Sequence, residues 1–166
     1  MVVAVGADRT GVVAALSGVL VELGCNLSDT QMAVLQGYAS MMLVVDAPQE
    51  LTTDELHSAL ARGTEGLGQT LWVHPLSEAP VTGQAGRVWV VSIHGADRPG
   101  VVYEVTRLLA EEGLNIVDLQ GRLSGPVGSL AIQVVVPPDV DGDKVSARLD
   151  HLRDTAELSC SMRPMP

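Results

Sequence analysis

Two short turns in the sequence combine residue types that could hold a small anion. The first reads GADRTG over residues 6–11, and the second reads GADRPG over residues 95–100. Glycine has no Cβ, so a ligand can approach the backbone of such a turn closely. A helix that follows the turn would point its first N–H groups at the ligand, and its dipole would favour negative charge. Each turn could therefore receive a carboxylate.

Two asparagines extend this pattern. Asn26 and Asn115 are the only asparagines in the chain, and each follows the first glycine of its turn by 20 positions. An asparagine amide offers both a donor and an acceptor, and Asp8 or Asp97 could accept from an ammonium group. The residue types together suit a small zwitterion. The candidate ligand-binding residues are Gly6, Ala7, Asp8, Arg9, Thr10, Gly11, Asn26, Gly95, Ala96, Asp97, Arg98, Pro99, Gly100 and Asn115.

Simpler roles exist for each of these residues. Asp8 and Asp97 are of a type that commonly caps helices, and they could cap and bind at once. The glycines could serve only a tight turn, and the asparagines could satisfy backbone groups after a helix. The arginines could be solvated. The occurrence of the whole set twice favours the functional interpretation.

The two turns belong to an internal duplication. Residues 2–31 aligned with residues 91–120 share 14 identities in 30 positions, at a shift of 89. This period is the size of a small domain rather than that of a solenoid repeat. We therefore expect a first domain over residues 1–76, a linker over 77–86 and a second domain over 87–166.

The second copy predicts one order of elements. A β-branched run over 88–94 predicts a strand, and apolar spacing from Val101 predicts a helix that Asp97 caps and Gly113 ends. The following stretch alternates, with Val117, Leu119 and Leu123 on one face. A hairpin turn, a strand, a second helix and a last strand complete the unit. The order βαββαβ is that of a ferredoxin-like α+β fold, an antiparallel sheet with both helices on one face.

The first copy predicts the same order. We expect a strand near 2–5, a helix near 10–23 and a hairpin that turns near Gly37. Thr52 or Thr53 is expected to cap the second helix, and a final strand follows. Two such small units are expected to pack on each other, or on a second chain, so that the sheet edges are covered.

Composition excludes several classes of function. The formal net charge is −10 and no basic cluster occurs, which argues against direct nucleic-acid binding. No run of about 18 apolar residues occurs, and the N-terminus lacks a signal peptide, so we expect a cytoplasmic protein without membrane contact. Cys25 and Cys160 show no metal-site spacing and are expected to be reduced.

Catalytic motifs are missing from the sequence as well. None of the four histidines has a serine, a cysteine or a second histidine at motif spacing. The DVDGD segment places its glycine at the fourth position, where a calcium loop of the EF-hand type needs it at the sixth. No phosphate-binding glycine motif follows a strand. We expect no enzyme activity, no metal and no cofactor.

The segment ADRPGVVYEVTRLLAEEGLNIVDLQ resembles an ACT domain, and ADRTGVVAALSGVLVELGCNLSD resembles it too. The first copy departs from the motif only by Thr10 in place of proline and Leu27 in place of isoleucine. Two such domains resemble the glycine cleavage system transcriptional repressor family. The N-terminal domains of formyltetrahydrofolate deformylase and of some phosphoserine phosphatases are also similar.

The resemblance implies an amino-acid ligand, often bound at an interface between two domains, that contacts the turn and the asparagine. Glycine or serine is the first expectation by analogy. The resemblance also implies a regulatory protein that acts through a protein partner, and we expect a homodimer. Two alternatives remain: a regulatory portion of an enzyme of amino-acid or one-carbon metabolism, and an assembly module without a ligand.

Overall fold

The computed structural model divides the chain into two compact units, Met1–Pro80 and Val81–Pro166. It describes residues 1–76, 85–96, 98–124, 127–156 and 158–165. Most of the expected linker, residues 77–84, lies outside this part, and so does Asp97. Each unit has the order βαββαβ and one four-stranded antiparallel sheet. The predicted pair of ferredoxin-like α+β units is therefore confirmed.

The N-terminal unit contains six elements, and its sheet has the strand order β2-β3-β1-β4. The elements are β1 (Val2–Ala7), α1 (Val12–Glu22), β2 (Asn26–Leu35), β3 (Tyr38–Asp46), α2 (Thr53–Gly63) and β4 (Gln69–Val73). The hairpin turns at Gln36 and Gly37, both with positive φ. Side chains alternate between buried and half-buried along β1, because one face of the sheet is covered by the two helices.

The C-terminal unit repeats this arrangement with the strand order β6-β7-β5-β8. Its elements are β5 (Arg87–Ala96), α3 (Val101–Glu111), β6 (Asn115–Ser124), β7 (Val127–Val136), α4 (Gly142–Ala156) and β8 (Leu158–Pro164). Gly113 has a φ of 71° after α3, as expected for the residue that ends a helix in the left-handed conformation.

The second strand of each unit contains a bulge that the alternation did not predict. The pairing of β6 with β7 shifts between Ile116 and Asp118, so Val117 is an extra residue. Val117 is 53% exposed and does not continue the row that Leu119 begins. The prediction that Val117 shares a face with Leu119 is wrong, because a bulge interrupts the period of two.

Each unit has its own core between sheet and helices. In the N-terminal unit Leu16, Leu20 and Leu60 pack from the helices onto Met41 and Leu43 of the sheet. The equivalent core of the C-terminal unit is larger and is built mainly from valine, leucine and isoleucine. Burial of these apolar side chains is what positions the turn at the start of each first helix.

Candidate functional site

Both predicted turns end in a left-handed glycine. Gly11 has φ 96° and ψ −13°, and Gly100 has φ 97° and ψ −14°. L side chains rarely adopt this conformation, so each turn requires glycine. Each of these glycines is the N-cap residue of the helix that starts directly after it. The prediction that an aspartate caps these helices is therefore wrong: Asp8 lies three residues before the cap, and Asp97 lies outside the described residues.

The first turn is tied to the loop that precedes β4. Arg9 Nη1 donates to the carbonyl of Gly66 at 3.1 Å. Gln69 Nε2 donates to the carbonyls of Ala7 at 3.0 Å and Leu67 at 3.2 Å. The bonds from Arg9 to Gly66 and from Gln69 to Ala7 hold residues 7–9 against residues 66–69, and the bond to Leu67 fixes the Gln69 amide within its own loop.

The second turn is held differently. Arg98 forms a two-pronged ion pair with Glu104 of α3, with Nη1 to Oε1 at 3.0 Å and Nη2 to Oε2 at 2.7 Å. These hydrogen bonds hold the pKa of the Glu104 carboxyl below its usual range. Leu158 occupies the position equivalent to Gln69 and has no amide group to donate.

A cavity of about 690 Å³ lies beneath the second turn. Its walls come from the turn, the first residues of α3 and strands β5 to β8. The lining residues are Ile93, Gly95, Arg98, Gly100, Val101, Val102, Tyr103, Gly121, Arg122, Gly128, Ser129, Leu130 and Leu158. Three candidate residues, Gly95, Arg98 and Gly100, therefore line one cavity. Its volume is within the range of small-molecule sites.

The hollow at the first turn is similar in volume, about 640 Å³, but differs in depth. Its lining residues are Asp8, Arg9, Thr10, Gly11, Val13, Ala14, Ser17 and Met32. None of these lining residues belongs to strands β1, β3 or β4 of the sheet. The hollow is therefore a surface depression over α1, whereas the cavity of the C-terminal unit reaches between sheet and helix.

The two asparagines lie at the opposite end of the sheet from the turns. On β3, Asn26 pairs with Asp46 whereas Gly6 pairs with Ala39. The seven residue steps from Ala39 to Asp46 correspond to about 23 Å of strand. Asn115 is placed in the same way, because it pairs with Val135. One unit alone does not bring its turn and its asparagine together, since the helix returns the chain to the end where the first strand began.

The two thiols are poorly suited to nucleophilic chemistry. Burial raises the pKa of Cys160, and the nearby Asp150 carboxylate raises it further. Burial also raises the pKa of Cys25. A raised pKa leaves little thiolate at neutral pH. Within the described residues, no group of three or more His, Cys, Asp or Glu side chains is placed to hold a metal ion.

Comparison with known families covers both units. Residues 1–74 match one ACT-domain family, and residues 89–157 match another. This is a tandem ACT-domain protein. The resemblance of the GADRTG and GADRPG segments is thereby confirmed, together with the assignment of one ACT domain to each unit. None of the helices in the described ranges is long and apolar enough to span a membrane.

Relatives of this ACT-domain protein include a phosphatase and a smaller UPF0237 protein. It is 25% identical to the phosphoserine phosphatase SerB2 of Mycobacterium tuberculosis over 86% of its own length, but spans only 35% of the phosphatase. It is 37% identical to a UPF0237 protein of Streptococcus pneumoniae over 43% of its own length and 76% of that protein.

Solved structures resemble the whole chain. A protein of unknown function from Galdieria sulphuraria has a TM-score of 0.83 at 24% identity, over 99% of this chain and 96% of that one. A candidate glycine cleavage system transcriptional repressor has a TM-score of 0.75 at 17% identity, over 99% of this chain and 95% of that one. These likenesses show the tandem fold.

Proposed function

We propose that this protein is an amino-acid sensor that binds its ligand at the GADRxG turns and passes the signal to a protein partner. The observation that carries the proposal is the cavity beneath the second turn, where Gly95, Arg98 and Gly100 meet the start of α3. Backbone N–H groups at a helix N-terminus suit a carboxylate. Arg98 lies beside them, held in place by its ion pair with Glu104. Both turns end in a glycine of the same left-handed geometry.

The asparagines enter this site from a second copy of the chain. The edge strand β2 is exposed along its whole length, and an exposed edge can pair with another chain. Antiparallel pairing of two such edges across a twofold axis would bring the start of one strand beside the end of the other. Asn26 or Asn115 of one copy would then approach the turn of its partner. This arrangement makes the protein a homodimer.

The charge of the chain favours a protein partner. The formal net charge is −10, which opposes direct contact with the phosphate backbone of nucleic acid. A regulator of this kind acts on a transcriptional or metabolic protein in the cytoplasm. The likeness to a candidate glycine cleavage repressor supports this role by analogy.

A second candidate function is the regulatory portion of an enzyme of amino-acid or one-carbon metabolism. The match to a phosphoserine phosphatase over 86% of this chain favours it. Purification from native cells distinguishes the two functions. A phosphatase or deformylase activity that remains with the protein through successive columns would favour the second.

Thermal unfolding in the presence of single amino acids tests the first proposal. A ligand that binds only the folded state raises the melting temperature as its concentration rises. We expect at least one of the 20 common amino acids, beginning with glycine and serine, to produce this rise. Failure of the whole set would contradict the proposed function.

Asparagine variants test the proposed contacts. Asn115→Ala removes a hydrogen bond to a charged ligand group, which corresponds to roughly tenfold weaker binding or more. Asn26→Ala is the matched variant in the other unit. If neither change weakens the binding of a confirmed ligand, the asparagines are not part of the site.

A further inference from the structure

The duplication allows the two turn regions to be compared position by position. At a shift of 89, Gly121 is equivalent to Met32, and Leu158 is equivalent to Gln69. In the N-terminal unit Met32 lines the surface hollow, and Gln69 holds the turn closed. In the C-terminal unit Gly121 and Leu158 both line the deeper cavity. The two turns are alike, but their surroundings differ.

Gly121 leaves space that a side chain could occupy. It pairs with Leu130 on β7, and Leu130 pairs with Ile93 on β5, so the three residues form one row across the sheet. A Cβ on Gly121 would meet only Leu130 Cδ1, at an ordinary contact distance of 3.5 Å. Its φ is not among the positive values of the chain. Backbone geometry does not require glycine here, and the missing side chain widens the cavity.

The lining of the cavity defines the chemistry of a ligand. Ile93, Leu130 and Leu158 form an apolar floor beneath Val101. Arg98 also lines it, beside the first backbone N–H groups of α3. Arg122 and Ser129 pair with each other one residue out of phase with Gly121 and Leu130, so they border the cavity through their backbone. Such a lining matches a molecule with a carboxylate at one end and an apolar body of several carbons at the other. Glycine has no side chain, and the side chain of serine is short and polar, so neither would cover the apolar floor.

We propose that the C-terminal unit alone binds ligand, and that the ligand is an amino acid with a branched apolar side chain. This inference rests on the proposed function and narrows it to one site and one class of ligand. The carboxylate lies at the turn, and the side chain lies over Ile93, Leu130 and Leu158. The N-terminal turn takes no ligand for two reasons. Arg9 donates to the Gly66 carbonyl, and Gln69 donates to the carbonyls of Ala7 and Leu67, so the turn is tied to the loop before β4. Met32 also fills the position on β2 that Gly121 leaves open on β6.

Calorimetric titration with L-leucine and with glycine measures both parts of this inference. We expect one L-leucine to bind per chain, at least tenfold more tightly than glycine. Two leucine molecules per chain would overturn the assignment to a single unit. Saturable binding of glycine without binding of leucine, valine or isoleucine would overturn the ligand class while the proposed function stands.

A pair of reciprocal variants locates the site. Gly121→Met gives the C-terminal unit the residue of the N-terminal one, and Met32→Gly makes the reverse change. We expect Gly121→Met to weaken L-leucine binding by at least tenfold and Met32→Gly to leave the existing site unchanged. Because a strand accepts methionine more readily than glycine, Gly121→Met is expected to fold, which circular dichroism and the melting temperature verify.

Three results distinguish failure of this inference from failure of the proposed function. Unchanged leucine binding by a folded Gly121→Met variant would place the ligand elsewhere and overturn the inference. Equal loss of binding in both variants would do the same, because it would assign the site to both units. A wild-type protein that binds none of the 20 amino acids would overturn the proposed function together with the inference.

Discussion

At the scale of single residues, glycine serves two different purposes in this chain. Gly11 and Gly100 are dictated by the backbone, because their φ values lie near 97°. Gly121 is not, since its φ is ordinary and an added Cβ would meet only Leu130 Cδ1, at an ordinary contact distance. The sequence predicts the first kind through the repeated GADRxG motif. It does not reveal the second kind, because space opposite a strand depends on which residues the sheet and helices bring together.

Alanine substitutions distinguish glycines that the backbone requires from those it does not. Gly11 has open space around its Cβ position, so Gly11→Ala carries only the backbone cost of positive φ, about 1 kcal/mol of unfolding free energy. Gly18 lies within α1 and also faces open space, and Gly18→Ala is expected to stabilise by about 1 kcal/mol. Urea denaturation measures both. Shifts in the same direction would contradict this explanation.

At the scale of elements, the order and type of helices and strands followed from apolar periodicity and turn residues. The start of α2 was predictable, because Thr52 and Glu55 form a capping box with hydrogen bonds in both directions. The starts of α1 and α3 were not, because a left-handed glycine takes the cap position that an aspartate was expected to fill. The bulges were missed for a related reason: a single extra residue, such as Val117, leaves no signature in the alternation.

The capping box at α2 gives a stability prediction. Thr52→Ala is expected to lower the unfolding free energy by about 1 kcal/mol, and Thr53→Ala, one position into the helix, by less. Chemical denaturation of both variants measures the difference. Equal losses would show that the Thr52 hydroxyl is not the stabilising group.

The same box predicts a dependence on pH. Hydrogen bonds from the Thr52 backbone N–H and hydroxyl hold the pKa of Glu55 below its usual range. A carboxyl whose pKa is lowered on folding contributes fully above its ordinary pKa, and the contribution is lost as the pH falls through the lowered value. The difference in stability between wild type and Thr52→Ala should therefore shrink on acidification. A difference in unfolding free energy that stays constant with pH would contradict this prediction.

At the scale of the whole molecule, duplication explains both what could be predicted and what could not. Two matching copies made the tandem ACT-domain fold predictable from the sequence, because every helix and strand has a counterpart 89 residues away. The functional difference between the copies could not be read in the same way. It lies in the contacts that equivalent arginines make. Arg98 pairs with Glu104 in the C-terminal unit, whereas Arg9 donates to the Gly66 carbonyl in the N-terminal unit, and only the folded units bring these partners together.

Mixing two variants with weakened ligand binding tests whether Asn115 acts across a homodimer. Asn115→Ala keeps an intact cavity, and Gly121→Met keeps an intact asparagine. After unfolding and refolding at a one-to-one ratio, half of the dimers would be mixed, and each would hold one complete site. We therefore expect about a quarter of the wild-type sites to return for a twofold-symmetric dimer. Size-exclusion chromatography confirms the dimer, and absence of recovery would place Asn115 in its own chain's site or outside it.

The most direct test of the account is the response of the turn glycines to a bound amino acid. Protein labelled with ¹⁵N at glycine reports the backbone N–H groups of Gly95, Gly100 and Gly121 in one spectrum with those of Gly11 and Gly18. At saturation with L-leucine, we expect the signals of Gly95, Gly100 and Gly121 to shift while those of Gly11 and Gly18 stay in place. Saturable shifts confined to other glycines, or no shift with any amino acid, would contradict the claim that the GADRxG turn binds the ligand.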